Sequence, residues 1–390
     1  MADVSEQVGE PTPKLAPKPA PKVEKYIRCY SPLFGMDPEL FFTKGDQVIG
    51  AERVIPDGVL AAPGLSGRGC IHTPGMNKKA FILDGVQVEL NPNPHGCRAN
   101  LADELSIAFK TLKKHLDTIG GVNVSFRSIV TIDKKELDSL SESARQFGCE
   151  PSFNLYDKDA KIACNPATYL KRSAGGHIHL GLLGHGKAGS MRSPDYPELF
   201  QERKRLVPLL DVLLGNTCVM LDRDPEAAER RKNYGRAGEY RLPKYGIEYR
   251  TLSNFWLRAY PLTSFVLGLS RLATSILGTT LNYWDAEKAL LDRIDMKAIQ
   301  TAINTNDLAL AIENWKLVRP FIHEHVTQTL DDGCGLERAN LTAFDKFLDR
   351  VHEKGLDAWF PTDPLTHWCN MNRAHGTGWE SFLAGVTYAP

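Results

Sequence analysis

GGHIHLG, residues 175–181, decides how this 390-residue chain is read. His177 and His179 stand two apart, with Ile178 and Leu180 in the intervening register. A strand alternates its faces with period two, so the imidazoles share one face and the aliphatic side chains take the other. Glycines flank the segment on both sides, and glycine admits a ligand close to the backbone. A lone histidine is more often a satisfied core residue, but two at this spacing beside three glycines read as a site. The bare pattern is cheap, as His323-Glu324-His325 shows. That second pair falls in a helical stretch, where residues i and i+2 diverge, and it reads as surface.

Three more segments extend the pattern outward. GIEYRTLSN (246–254) sets Glu248 and Arg250 on one strand face. In DGVQVELNP (84–92), Val86, Val88 and Leu90 alternate with Gln87 and Glu89, so valines facing a core leave Gln87 and Glu89 on the other side. Asp84-Gly85 opens that segment with a turn, and Asp84 is either a ligand beside Glu89 or the cap of its own turn. GMDPEL (35–40) carries Asp37 and Glu39, two carboxylates that repel unless a cation or an arginine lies between them. Taken singly it reads equally well as a solvated strand end. Carboxylates and imidazoles gathered on a sheet face suit a divalent metal, and arginines among them suit phosphate or carboxylate.

The arginines come in a block. RRKNYGRAGEYRLPKYGIEYRTLSN (230–254) holds five arginines and two glutamates. Arg236, Arg241 and Arg250 either grip a polyphosphate through their planar forks or form an internal salt-bridge web with Glu239 and Glu248. Arg230 and Arg231, beside Glu226 and Glu229, read as solvated helix-end charges.

The rest of the chain gives the frame. Residues 1–25 are rich in proline, lysine and alanine and bury no core, which makes them a solvated leader without a signal-peptide apolar stretch. Residues 26–280 mix strands and helices, and 281–390 read as helical throughout. In order, the patterns predict a strand, turn and strand from Tyr26, a strand from Phe81 to Pro92, a helix over 100–119 and a strand over 123–132. They then predict the H-x-H strand, a helix over 198–219, a loop over 222–245, the 246–252 strand and a long apolar helix over 261–281. Helices over 287–303, 307–318, 319–330 and 341–354 complete the chain. Strands and helices alternate too irregularly for a doubly wound sheet, so the class is α+β. No apolar run approaches the length of about 20 residues that spans a bilayer. Lys+Arg and Asp+Glu both number 47, which gives no global pull toward nucleic acid or an anionic membrane. The eight cysteines form no CxxC pair, and they indicate a reducing compartment, the cytoplasm.

In this order the motifs resemble the glutamine synthetase-like carboxylate–amine ligases, and more closely the phage-type COOH.NH2 ligase (type 2) family, relatives of the glutamate–cysteine ligases. The resemblance covers about residues 30–260. The superfamily's G-x-E-x-E strand is similar to Gly35-Met36-Asp37-Pro38-Glu39, with Asp for the first Glu. Its G-Q-x-E strand is similar to the one ending Gln87-Val88-Glu89, its glycine-flanked H-x-H to GGHIHLG, its R-x-x-x-x-R-x-P to Arg236–Pro243, and its E-x-R to Glu248-Tyr249-Arg250. Glutamine synthetase has a further metal-binding Glu eight residues before the G-Q-x-E glutamate, and here that position is Phe81.

The resemblance implies a mostly antiparallel sheet lined by metal and phosphate ligands, helices outside it, and an all-helical C-terminal region packed on the core. It implies ATP and Mg²⁺ or Mn²⁺, with ATP cradled in a sheet-lined funnel and no P-loop. Asp37, His177 and Glu248 would hold the metal on the nucleotide side, with His179 also facing the nucleotide. Glu39 and Glu89, with or without Asp84, would hold the metal beside the carboxylate substrate. Arg236, Arg241 and Arg250 would neutralise the transferring phosphoryl group. The product would be an amide made from a small-molecule or peptide carboxylate and an amine through an acyl phosphate. A guanido kinase-like phosphotransferase and a catalytically inactive nucleotide-binding module are the alternatives. A metal hydrolase built on the two histidines gives the arginines no task.

Overall fold

A computed structural model describes residues 32–55, 59–60, 81–96, 98–147, 152–158, 165–166, 168–183, 197–222, 224–281, 285–329, 349 and 363–371. Helices and antiparallel sheets share the chain, an α+β organisation. A five-stranded sheet runs in the order Leu33–Met36, Ile178–Gly181, Gly246–Tyr249, Glu239–Arg241, Phe153–Asn154. A six-stranded sheet is built on Glu39–Lys44, Gln87–Leu90 and Phe81–Asp84. The chain passes from one sheet to the other in two residues, Asp37 and Pro38. Pro38 has no N–H to give a ladder, which favours a crossing there. The crossing is pinned by backbone bonds from Glu39 N to Gly175 O (2.9 Å) and from Leu90 N to Pro38 O (2.9 Å).

Register fixes which side chains meet. Gly35 pairs with His179, His179 with Glu248, and Glu248 with Arg241, one row across four strands. By period two, the next row on the same face carries Asp37, His177, Arg250 and Glu239. The backbone bond from Arg250 N to Glu239 O (3.0 Å) agrees with that row. The opposite face takes Phe34, Leu180 and Ile247, then Met36, Ile178, Tyr249 and Tyr240, all buried. Full burial of an aliphatic or aromatic side chain stabilises by about 1.5–3 kcal/mol, so a one-residue slip would reverse both faces at prohibitive cost.

Several expectations change in detail. The segment from Phe81 to Pro92 is a hairpin, not one strand, and Gly85 supplies its turn at φ 65. Residues 123–132 are two short strands, Asn123–Ser125 and Ile129–Thr131. The helix expected over 198–219 is broken into pieces. Pro208 has no N–H for the turn behind it, and the α-helix restarts at Leu206 with Pro208 in its first turn. A π-helical turn follows at Asp211–Gly215, where the Asp211 carboxylate accepts from Tyr156 Oη (2.8 Å) and Tyr249 Oη (2.7 Å). The loop expected over 222–245 contains a helix, Ala227–Asn233, and the strand Glu239–Arg241.

Further on, Leu308–Thr329 is one helix that continues through Pro320 instead of ending there. His325 in it is buried beside Ser275, not on the surface as its spacing suggested. The leader over 1–25 lies outside the described residues, as does the helix expected over 341–354 apart from residue 349. The stretch Leu262–Thr280 is in fact long and apolar enough to cross a membrane, yet 94% of it is buried inside the protein, as in a core helix. The helical region and the sheets share one core. Trp368 is fully buried, stacks on Phe109 and donates its indole N–H to Leu257 O (2.6 Å).

Candidate active site

On the polar face of the five-stranded sheet, Asp37, His179 and Glu248 bring one donor atom each within 4.8 Å of one another. His179 Nε2 is buried, lies 3.1 Å from Asp37 Oδ1, and has no well-aligned hydrogen bond among the described residues. His177 Nδ1 lies 3.0 Å from the same Oδ1 and 3.7 Å from Glu248 Oε1. His177 was expected as the metal ligand and His179 as a nucleotide contact, whereas the converging donor group contains His179. Each imidazole has a tyrosine on its other nitrogen: Tyr234 Oη meets His177 Nε2, and Tyr245 Oη meets His179 Nδ1.

The arginines divide. Arg241 Nη2 donates to Glu248 Oε1 (2.6 Å), and Arg250 Nη1 donates to the same oxygen. Arg250 is fully buried and also donates to Ser152 Oγ (2.8 Å) and Tyr234 Oη (2.7 Å), whereas Arg241 keeps a quarter of its side chain exposed. Arg236 stands apart from these two. Its guanidinium sits at the rim, 3.6 Å from Asp157, and its backbone N–H caps Glu239 (3.0 Å). The salt-bridge web weighed as the alternative is therefore present around Glu248. Glu239 instead binds backbone N–H groups of Gly235 and Arg236.

Arg230 and Arg231 are a correction to the solvated reading, because both are buried. Arg230 donates to the carbonyls of Ala174, Thr251 and Leu252, and Arg231 to those of Gly235 and Thr251. They staple the chain on either side of the H-x-H and E-x-R strands. Burial pushes the Arg230 guanidinium down to about 10.

The neighbouring sheet contributes a carboxylate group. Glu39 and Glu89 are direct cross-strand partners. Asp84 pairs with Gln87, and period two places Glu39, Gln87, Glu89, Ile82 and Asp84 on one face. Phe81 pairs with Leu90 on the other face, fully buried in the core. A carboxylate at position 81 would point away from the site, and Asp84 is the residue of that strand that joins the acids. Glu39 Oε2 accepts from Gly175 N (2.6 Å) and Gln87 Nε2 (3.1 Å).

Electrostatics separate the two groups. Burial raises Glu39 to about 8, aided by Asp84, and raises Glu89 to about 10, aided by Asp37 and Asp84. Burial acts the same way on Asp37 and Glu248, but His179 and His177 more than offset it and hold both below the usual carboxylate range. Burial, with Arg250, lowers His177. At His179 the Asp37 carboxylate outweighs burial and raises the imidazole.

The glycines of GGHIHLG serve protein atoms instead of a ligand. A Cβ on Gly175 would meet the His177 ring, and one on Gly176 would meet the Ser253 carbonyl and the Trp256 indole. Sequence reading missed Tyr234, Tyr245 and Ser152. Both tyrosines precede a glycine inside the arginine-rich segment, which is the only local signal they leave.

Residues 155–294 match the family described as phage phiEco32-like COOH.NH2 ligase-type 2. The matched span carries His177, His179, Arg241, Glu248 and Arg250, with Tyr234 and Tyr245, and it excludes Asp37, Glu39, Asp84 and Glu89. It is the family that the motif order resembles. The family's name describes ligation of a carboxyl group to an amine, and the match suggests a carboxylate–amine ligase. No curated protein matches the chain.

Proposed function

We propose that this protein is an ATP-dependent ligase that joins a carboxylate to an amine through an acyl phosphate, on a glutamine synthetase-like sheet. The observation that carries the reading is the row Gly35–His179–Glu248–Arg241 beside the row Asp37–His177–Arg250, with the acids Glu39, Glu89 and Asp84 near enough to interact electrostatically. The donor chemistry suits hard divalent cations such as Mg²⁺ or Mn²⁺. A buried imidazole nitrogen beside a carboxylate oxygen, with no well-aligned hydrogen bond among the described residues, is where such an ion fits. Asp37, Glu248 and the histidine pair would hold one cation. Glu39, Glu89 and Asp84 would hold another, whose charge would relieve their mutual repulsion. Bound there, cations supply Lewis-acid neutralisation of polyphosphate oxygens.

The residues then have separate tasks. Arg241, partly exposed at the edge of the row, reaches the transferring phosphoryl group, and Arg250 holds Glu248 and Tyr234 in place behind it. A substrate carboxylate oxygen attacks the γ-phosphorus and ADP leaves. The amine nitrogen attacks the resulting acyl carbon, loses a proton, and phosphate departs with the amide formed.

Hydroxylamine tests this. Purified protein given ATP, Mg²⁺ and a panel of carboxylates should form a hydroxamate and release ADP. A stable phosphorylated product without hydroxamate would favour a phosphotransferase instead. The inactive-module reading has one observation in its favour, since both central arginines already bind Glu248. ATP binding with neither product would support it.

A further inference from the structure

The π-helical turn Asp211–Gly215 puts a carboxylate into the apolar core on the far side of the five-stranded sheet from the candidate site. Asp211 is fully buried. Its Oδ1 accepts from Tyr249 Oη (2.7 Å) and its Oδ2 from Tyr156 Oη (2.8 Å). The backbone N–H of Gly238 donates to the same carboxylate. These donors belong to three neighbouring strands. Tyr249 ends Gly246–Tyr249, Gly238 immediately precedes Glu239–Arg241, and Tyr156 follows closely on Phe153–Asn154. The strands pair antiparallel, so all three positions fall at the same end of the sheet.

The turn and its surroundings are shaped for this contact. A π-helical turn is rare inside helices and occurs most often at functional sites. Gly215 closes it, and a Cβ there would come within 2.6 Å of Tyr249 Oη. Gly238, at φ 80, likewise leaves room for the Tyr156 ring, which a Cβ would meet at 2.6 Å. A buried carboxylate is costly unless it is hydrogen-bonded. Burial raises Asp211 to about 6, against the opposing pull of both phenols, the Gly238 N–H and nearby Arg231. Apolar groups of the same shape would fill this space at nearly equal stability, so packing alone does not account for the cluster.

What the cluster holds lies on the other face. Glu248 and Arg250 flank Tyr249 in sequence, and alternation turns them to the polar side. Arg250 Nη1 donates to Glu248 Oε1, and its Nε donates to Ser152 Oγ (2.8 Å), on the segment that Tyr156 anchors. Asp211 therefore ties the strand that carries Arg250 to the segment that carries Ser152. We propose that Asp211 is a positioning residue that sets Arg250 against Glu248 and Ser152 from behind the sheet. Its effect on turnover rests on the ligase reading above, whereas the tether itself stands on the hydrogen bonds.

Three variants of the full-length protein test it. Tyr249→Phe keeps the ring and removes one bond. Asp211→Asn keeps the shape and an acceptor oxygen, and a phenol can turn to accept from the new amide. Asp211→Leu/Tyr156→Phe/Tyr249→Phe replaces the cluster by apolar groups, which should recover the melting temperature without recovering the tether. The first readout needs no turnover: solvent exchange of the Arg250 Nε–H, identified by its loss in Arg250→Lys. Exchange should be more than about tenfold faster in Tyr249→Phe and in the triple variant, and within about threefold of wild type in Asp211→Asn. The second readout is Mg²⁺-dependent ATP turnover. In the triple variant kcat should fall by more than about tenfold while KM for ATP stays within about threefold, and Asp211→Asn should stay near wild type in both. Unchanged Arg250 exchange in Tyr249→Phe and the triple variant would overturn the proposal. A triple variant that regains melting temperature and kcat together would also overturn it, because Asp211 would then serve stability alone. Should the triple variant not fold, Tyr249→Phe carries the same comparison against Asp211→Asn. A wild type without turnover on any carboxylate would remove the ligase reading, and the exchange rates would still decide whether Asp211 sets Arg250.

Discussion

Two acidic regions lie close to each other at the sheet crossing, and they are balanced differently. On the five-stranded sheet, Asp37 and Glu248 sit among His177, His179, Arg241 and Arg250, and both carboxyls are held low. On the hairpin sheet, Glu39 and Glu89 face each other with Asp84 nearby, and burial and mutual repulsion raise them to about 8 and about 10. The first region is a compensated network that keeps its shape by itself. The second holds protons where it would otherwise hold a cation. A cation entering it must displace those protons, which couples its affinity to pH.

The largest effect should come from the uncompensated side. Glu89→Ala should abolish Mg²⁺-dependent ATP turnover while leaving the metal-free protein folded and, with one repelling acid gone, slightly more stable. Turnover within about threefold of wild type would sink Glu89 as part of the site. Thermal melting of the same variant in EDTA checks the stability half.

A pH series sharpens the contrast next. Glu39 and Glu89 have folded pKa values above the ordinary 4.5, so between 4.5 and those values the folded state binds more protons than the unfolded one. Stability then falls as pH rises through that window, by up to about 1.4 kcal/mol per pH unit for each group. Asp37 and Glu248 are lowered, so their contribution is present above the ordinary carboxylate pKa and is lost only as pH drops through their own. Metal-free protein should therefore melt at lower temperature at pH 8 than at pH 6, and saturating Mg²⁺ should flatten or reverse that slope. An identical slope with and without the ion would mean the hairpin acids bind no cation.

How much of this the sequence carried depends on how local each signal is. His177 with His179, and Glu248 with Arg250, are placed on one face by alternation inside apolar strands, a property of a few consecutive residues. The turn inside Phe81–Leu90 was visible as Asp84-Gly85, but it was read as a strand start because nothing local says that the preceding residues also pair. Arg230 and Arg231 looked solvated because most of their acceptors, the carbonyls at 174, 251 and 252, are remote in sequence, and only the Gly235 carbonyl is near. Tyr234 and Tyr245 left no periodic trace, since a loop tyrosine is defined by where its hydroxyl ends up. The stretch 261–281 reads as a long apolar helix, and only its packing shows what that composition is for.

The arginines offer a smaller, graded comparison. Arg241→Lys removes a planar fork from a partly exposed position and should lower turnover by more than about tenfold, with a lesser change in ATP affinity and little change in melting temperature. Arg250→Lys should lower turnover too, but with a stability loss of about 1–3 kcal/mol, because a buried guanidinium with three acceptors is replaced by a group that cannot satisfy them. If Arg250→Lys left the melting temperature unchanged while Arg241→Lys lowered it, the division between the reaching and the supporting arginine would be reversed.

The smallest effect is expected where the sequence pattern promised a catalytic residue. Arg236 belongs to the same R-x-x-x-x-R-x-P stretch as Arg241, yet its guanidinium points to the rim. Its ion-pair partner among the described residues, Asp157, lies 3.6 Å away, and more than a third of the arginine side chain is exposed. Exposed pairs of this kind contribute about 0–1 kcal/mol. The contact that matters locally is its backbone N–H to Glu239, which any side chain but proline preserves. Arg236→Ala should therefore leave turnover within about threefold of wild type and the melting temperature nearly unchanged, in contrast to Arg241→Lys measured beside it. A loss as large as that of Arg241→Lys would show that the rim closes over the substrate during turnover. It would also return Arg236 to the phosphate-binding role that its place in the motif suggested.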